Sequence, residues 1–172
     1  MAIRLAGEIG EPPNTAADVA AQLAQAGGAP VAVIVNSPGG LATEGAAIHA
    51  ELRAYPGRVR VAIRGIAASA ASLAAMAGDE IAIAEGAVFM LHDPAALTFG
   101  PAEAHRHTAG VLDVLSETYA QAYAEASGNR LELVRAWMRE EAWLGAQEAV
   151  ALGFADRIEE AGAAPEHAAA AA

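Results

Sequence analysis

Short apolar runs rich in β-branched residues alternate along this chain with alanine-rich stretches of helical period, and that alternation limits the fold more than any other feature. Val31 to Val35 is an unbroken apolar run suited to a buried, largely parallel strand. Asn36-Ser37-Pro38-Gly39-Gly40 follows and reads as a turn, then an amphipathic stretch from about Thr43 to Tyr55. The unit recurs: Val59 to Arg64 reads as a strand, Gly65 as its break, Ala67 to Ala77 as a small-residue helix ended by Gly78. Upstream, residues 2–9 suit a short strand. The helix after it has Asn14 or Thr15 as cap, Val19, Leu23 and Ala26 at helical spacing, and Gly27-Gly28 at its close. Two more short strands, Glu80 to Ala84 and Ala87 to Leu91, end at His92-Asp93-Pro94. Strand and helix in alternation predict an α/β architecture, with helices covering a sheet.

The second half is helical. Pro101 suits a helix first turn, and from there to Ser127 only Gly110 interrupts, so about 27 residues give roughly 40 Å of helix. A helix that long on a chain of 172 residues is expected to project and pack against another subunit. Helix is expected again over 130–140 and 146–152, and a last strand over 154–158. A single domain over 1–158 is therefore expected, its projecting segment at about 93–128. The alanine-rich stretch 159–172 is expected to be a disordered tail.

Composition removes whole chemistries. The ten basic side chains are all arginine, and there is no lysine and no cysteine. That excludes disulfides, thiolate zinc sites, cysteine nucleophiles, Schiff bases, lysine phosphate loops and serine–lysine dyads. A formal charge of −11 repels phosphate backbones and anionic membranes, so neither nucleic acid nor membrane is an expected partner. Apolar residues reach 55%, but 49 are alanine, and no run approaches the roughly 20 apolar residues a membrane span needs. With no long apolar signal segment at the start, a cytoplasmic protein is expected.

Serine becomes the leading candidate nucleophile. Ser69, in Gly65-Ile66-Ala67-Ala68-Ser69-Ala70-Ala71-Ser72, stands where a strand delivers the chain to a helix start, with small neighbours and backbone N–H groups able to hold an oxyanion. Taken by itself it reads first as an ordinary N-cap or a small-residue helix contact. His92 closes a strand at the edge of a loop, where a general base belongs, though alone it also suits a structural role. The paired glycines 39 and 40 permit a backbone N–H to face a substrate carbonyl, or simply make a turn. His105 and His107, two apart on a helix, face different ways and are poor partners for one metal ion. His49 and His167 have no evident partners.

Four segments in order, Asn36-Ser37-Pro38-Gly39-Gly40, Gly65-x-Ala67-Ala68-Ser69, Leu91-His92-x-Pro94 and Trp143-Leu144-x-Ala146-x-Glu148-Ala149-x-x-x-Gly153-Phe154-x-Asp156, resemble the ClpP-type serine peptidases, the proteolytic subunits of Clp proteases. The resemblance runs from about Ile3 to Ile158. It implies a ClpP/crotonase-like spiral of ββα units with a projecting handle helix, no cofactor and no metal. It places the nucleophile on Ser69, the general base on His92, and the oxyanion hole on the N–H groups of Gly40 and Ala70. The third triad member falls on Glu141, where the best-known relatives have aspartate, with Glu140 a second candidate. Glu140 also stands where those relatives have an arginine linking subunit contacts to the site.

The implied activity is endopeptidase action on peptides or proteins inside a homo-oligomeric, heptameric ring, single or as two stacked rings. Housekeeping relatives carry a longer N-terminal segment that touches a ring ATPase. With the first strand beginning almost at Met1, the usual ATPase partnership is not expected, and a shortened phage-type relative trimming capsid or scaffold proteins is a live subtype. Two other readings stay open: a crotonase-like acyl-CoA enzyme, and a non-catalytic structural ring.

Overall fold

The computed structural model describes residues 1–159. Elements follow in the order β1 (Ala2–Ile9), α1 (Ala16–Ala26), β2 (Val31–Gly40), α2 (Ala42–Ala54), β3 (Val59–Ala68), α3 (Ala70–Ala75), β4 (Glu80–Ala84) and β5 (Val88–Leu91). The rest are α4 (Ala102–Ser127), α5 (Leu131–Arg139), β6 (Ala142–Gly145), α6 (Ala146–Ala151) and β7 (Arg157–Glu159). β1, β2, β3, β4 and β7 lie side by side in that order, all parallel, so the expected α/β architecture is present. Alternate residues of the strands, Ile3, Leu5, Val33, Val35, Val61 and Ile63, face the helices and are buried. α1 is capped by Thr15, whose hydroxyl accepts from Asp18 N–H while the Asp18 carboxylate accepts from Thr15 N–H. Asn14 does not cap the helix; it is buried and bonded to the backbone of Ala6 and Glu8.

β3 changes partner along its length, and this places the site. Arg60–Ile63 pair with Glu80–Ile83 of β4, whereas Ile66–Ala68 pair with Val88–Met90 of β5. The switch happens at Gly65, whose φ of 120° few side chains tolerate. Gly65 therefore redirects the strand without ending it, and the helix expected from Ala67 begins only at Ala70 and stops at Ala75. Asn36 to Gly40, expected as a turn, are also strand. A register shift between Val35 and Ser37 absorbs the irregularity, and side chains replace missing backbone bonds: Asn36 Oδ1 accepts from Ile66 N–H and Ser37 Oγ donates to Gly7 O.

β6 has no counterpart among the expected elements. It is a four-residue strand antiparallel to β5, with Leu91 opposite Ala142 and Met90 opposite Trp143. The last strand is displaced to 157–159; Phe154 is instead a buried core residue, stacked on Phe89 at 5.1 Å. Full burial of a side chain like Phe89 contributes about 2 kcal/mol. Glu159, expected at the start of a tail, is buried and pairs with Arg64 at 2.8 Å, tying β7 to β3. Residues 160–172, with His167, lie outside the described residues.

α4 divides into two halves. Tyr119, Ala120 and Tyr123 are buried under its C-terminal half, while Val111 and Val114 on its N-terminal half are exposed. Its 26 residues span about 39 Å. The preceding loop leaves Leu97 and Phe99 fully exposed.

Candidate active site

Three adjacent strands deliver three polar side chains to one end of the sheet. Ser69 is the residue after β3, His92 the residue after β5, and Glu141 the residue before β6. Ser69 Oγ lies 2.8 Å from His92 Nε2, within hydrogen-bond reach. Ser69 has φ 54° and ψ −125°, a conformation costing a β-carbon residue about 1–3 kcal/mol. Its surroundings hold it there: Ser69 N–H donates to Met90 O at 3.1 Å, and Ser69 O accepts from the N–H groups of Ser72 and Leu73 at the start of α3. A sharp strand-to-helix turn of this kind lifts the hydroxyl clear of the backbone.

The acid side is looser. Glu141 Oε2 is 4.0 Å from His92 Nδ1, beyond direct hydrogen-bond length, and the Glu141 side chain is 55% exposed against 26% for His92. Glu141 also has positive φ, 53°, and its other oxygen, Oε1, accepts from Trp143 Nε1 at 3.2 Å. Of the two neighbouring glutamates considered in the sequence, Glu141 is the one whose carboxylate lies beside the His92 ring, at 4.0 Å.

The two backbone amides considered as an oxyanion site also stand at this end of the sheet. Among the described residues the Ala70 N–H, at the first position of α3, has no hydrogen-bond partner, as the start of a helix dictates. Leu41 N–H donates to Ile9 O, and since successive amides in a strand alternate, the N–H of Gly40 faces away from β1. Gly39 N–H is taken by Ser37 Oγ. Gly39 packs so closely on the serine turn that a β-carbon there would lie 2.7 Å from both Ala68 O and Ser69 Cβ.

The other histidines among the described residues are elsewhere. His105 and His107 are exposed on α4. Among the described residues no group of three or more histidine or acidic side chains is arranged to hold a metal ion. His49 lines a cavity of about 350 Å³ with Arg53, Met76, Asp79, Glu125 and Asp156, at the C-terminal end of α3, whereas Ser69 stands at its N-terminal end. Burial, assisted by the Arg53 charge and opposed by Glu125, lowers the His49 pKa.

A strained serine on a strand-to-helix turn, hydrogen-bonded to a histidine that faces a carboxylate, is an arrangement that serine hydrolases use. The chain belongs to the Clp protease family, whose model matches residues 2–162. It is 33% identical over 128 residues to the ATP-dependent Clp protease proteolytic subunit 1 of Leifsonia xyli, covering 73% of this chain and 65% of that protein. It therefore spans just under two thirds of that relative's length. Similarity to the ATP-dependent Clp protease proteolytic subunit of Streptococcus gordonii is 29% over 153 residues, 84% of this chain and 78% of the relative. A solved structure of a ClpP1 point mutant from Listeria monocytogenes superposes with a TM-score of 0.83 at 25% identity, covering 94% of this chain and 92% of that one. Among the described residues no helix is long and apolar enough to cross a membrane.

Proposed function

We propose that this protein is a cytoplasmic serine endopeptidase of the Clp type that cleaves peptide bonds through an acyl-enzyme, within a homo-oligomeric ring of seven subunits. Ser69 Oγ attacks the peptide carbonyl carbon while His92 Nε2 takes its proton; the carbonyl oxygen becomes an oxyanion resting on the N–H groups of Gly40 and Ala70. Collapse of the tetrahedral intermediate expels the amine, protonated by His92. Water, deprotonated by the same ring, then releases the acid product and restores Ser69. Glu141 orients the imidazole so that Nδ1 carries the proton and Nε2 is free to act as base.

The observation that carries this reading is the 2.8 Å contact between Ser69 Oγ and His92 Nε2. It separates the peptidase from a crotonase-like enzyme, which needs the backbone amides but no serine–histidine pair. A fluorophosphonate probe tests it. The wild-type chain should be labelled on Ser69 and hydrolyse a fluorogenic peptide; Ser69→Ala should not be labelled and should lose at least about a thousandfold in turnover. An assembled wild-type protein that takes no label would reject the peptidase. The exposed Val111, Val114, Leu97 and Phe99, on and beside the projecting half of α4, support assembly through that helix. Native mass spectrometry should give multiples of seven, and a clean monomer would reject the ring.

A further inference from the structure

Beneath the Ser69 turn lies a buried pair of hydroxyls that this mechanism does not use. Ser72, on α3, and Tyr123, on the buried half of α4, are both fully buried, and their oxygens are 2.8 Å apart. Ser72 Oγ is also 2.7 Å from Ser69 O and 2.6 Å from Met90 O. Those carbonyls belong to the two strand ends that matter: one is that of Ser69 itself, and the other precedes His92 by two residues. Met90 O also accepts from Ser69 N–H.

Counting protons assigns the directions. Two hydroxyl hydrogens meet four acceptor oxygens: Ser69 O, Met90 O, Ser72 Oγ and Tyr123 Oη. Carbonyls only accept, and both lie closer to Ser72 Oγ than the phenol does, so Ser72 gives its single hydrogen to one carbonyl or the other and Tyr123 O–H donates to Ser72 Oγ. Tyr123 has a weaker alternative acceptor, Ser69 O at 3.4 Å. Burial raises the phenol pKa far above its ordinary range, so tyrosine remains a donor at all working pH. The ring is fixed by edge contacts with Tyr119, Phe89 and Phe154 at 6.1 to 6.4 Å. If purely apolar packing were all this position had to supply, two buried hydroxyls would be a costly way to supply it.

We propose that Ser72 and Tyr123 are positioning residues, a buried hydroxyl brace that holds the end of β3 at a fixed spacing from the end of β5 and ties that spacing to α4. The proposal rests on Ser69 and His92 being the reacting pair. Because the other half of α4 is exposed, the brace is also the contact through which a shift of that helix would reach the Ser69–His92 distance.

The test uses the full-length assembled protein and four forms: wild type, Tyr123→Phe, Ser72→Ala and the double variant. Tyr123→Phe keeps the ring and its packing and removes only the hydroxyl, so it remains informative should Ser72→Ala fold poorly. Turnover of a fluorogenic peptide, KM, the rate of fluorophosphonate labelling and Tm are measured, with kinetics well below the lowest Tm. The brace predicts a fall in kcat and in labelling rate of about tenfold for Ser72→Ala and about threefold for Tyr123→Phe, with KM within about twofold. The double variant should match Ser72→Ala, since tyrosine acts through serine. Lowered Tm with kcat and labelling unchanged would make the pair structural only and overturn the proposal. Additive losses in the double variant would overturn the brace as a unit. If wild type itself were not labelled, the failure would belong to the peptidase reading.

Discussion

The two links in the line Ser69, His92, Glu141 are built to different standards. The serine–histidine link is 2.8 Å long, set by two parallel strand ends and enclosed by backbone bonds and a buried hydroxyl pair. The histidine–glutamate link is 4.0 Å long, made by a side chain more than half exposed, at the mouth of a four-residue strand. In the proposed mechanism the bond-making geometry is fixed by the sheet, whereas the group that would only orient a ring is left near solvent, where its charge is screened. A carboxylate at this distance and exposure contributes less than a buried, directly bonded one.

The largest expected effect strikes the rigid link. Gly39→Ala sets a methyl group 2.7 Å from Ser69 Cβ and Ala68 O, at a φ of 101° where side chains are strained. Overpacking and strain of this kind each cost about 1–3 kcal/mol, and here they push directly on the reactive turn. Fluorophosphonate labelling should slow by about a hundredfold or more, out of proportion to the loss in Tm. Retained labelling would mean that the serine turn tolerates displacement, and the contrast between the two links would fail.

The next effect strikes the loose link. Replacing a buried, directly bonded triad aspartate by its amide lowers turnover by about 10⁴-fold in the best-studied serine protease. At 4.0 Å and half exposed, Glu141→Gln should cost about tenfold to a hundredfold, and Glu140→Gln less than about twofold. Steady-state kcat on one peptide separates the cases. A loss for Glu141→Gln as large as for the aspartate would mean that the carboxylate closes on His92 when substrate binds. Equal small losses for both glutamates would remove Glu141 from the triad.

The same contrast governs how much could be read in the sequence. The β-branched runs form strands because their side chains face the helix layer; His92 was legible because it directly follows the apolar run ending at Leu91, and Ser69 because it stands among small residues between the Val59 to Arg64 run and a helix start. Asn36 to Gly40 misled: proline and paired glycines usually break strands, but here Asn36 and Ser37 side chains replace the lost ladder bonds and the strand continues. Gly65 misled likewise, bending β3 from β4 to β5 without ending it. β6 has four residues and no periodicity long enough to detect; its pairing with β5 brings Glu141 to the site. The Ser72 and Tyr123 brace joins residues 51 positions apart. Serine in an alanine-rich helix and tyrosine on a long one carry no local signal of meeting.

The smallest effect concerns what holds the exposed carboxylate at all. Trp143 Nε1 donates to Glu141 Oε1 at 3.2 Å, and with one oxygen anchored the other is turned toward His92 Nδ1. Trp143 is itself 53% exposed, so water competes for both partners and the bond is worth little in stability. Its effect is directional: without it, the glutamate samples rotamers that face solvent, and the imidazole loses its orienting charge part of the time. Trp143→Phe retains an aromatic ring and removes the donor, so kcat should fall by about two- to threefold with KM unchanged. In a Glu141→Gln background the same substitution should cost nothing further, because its only route to His92 has already been cut. An independent loss in that background would place Trp143 against the substrate, and the loose link would then depend on Glu141 alone.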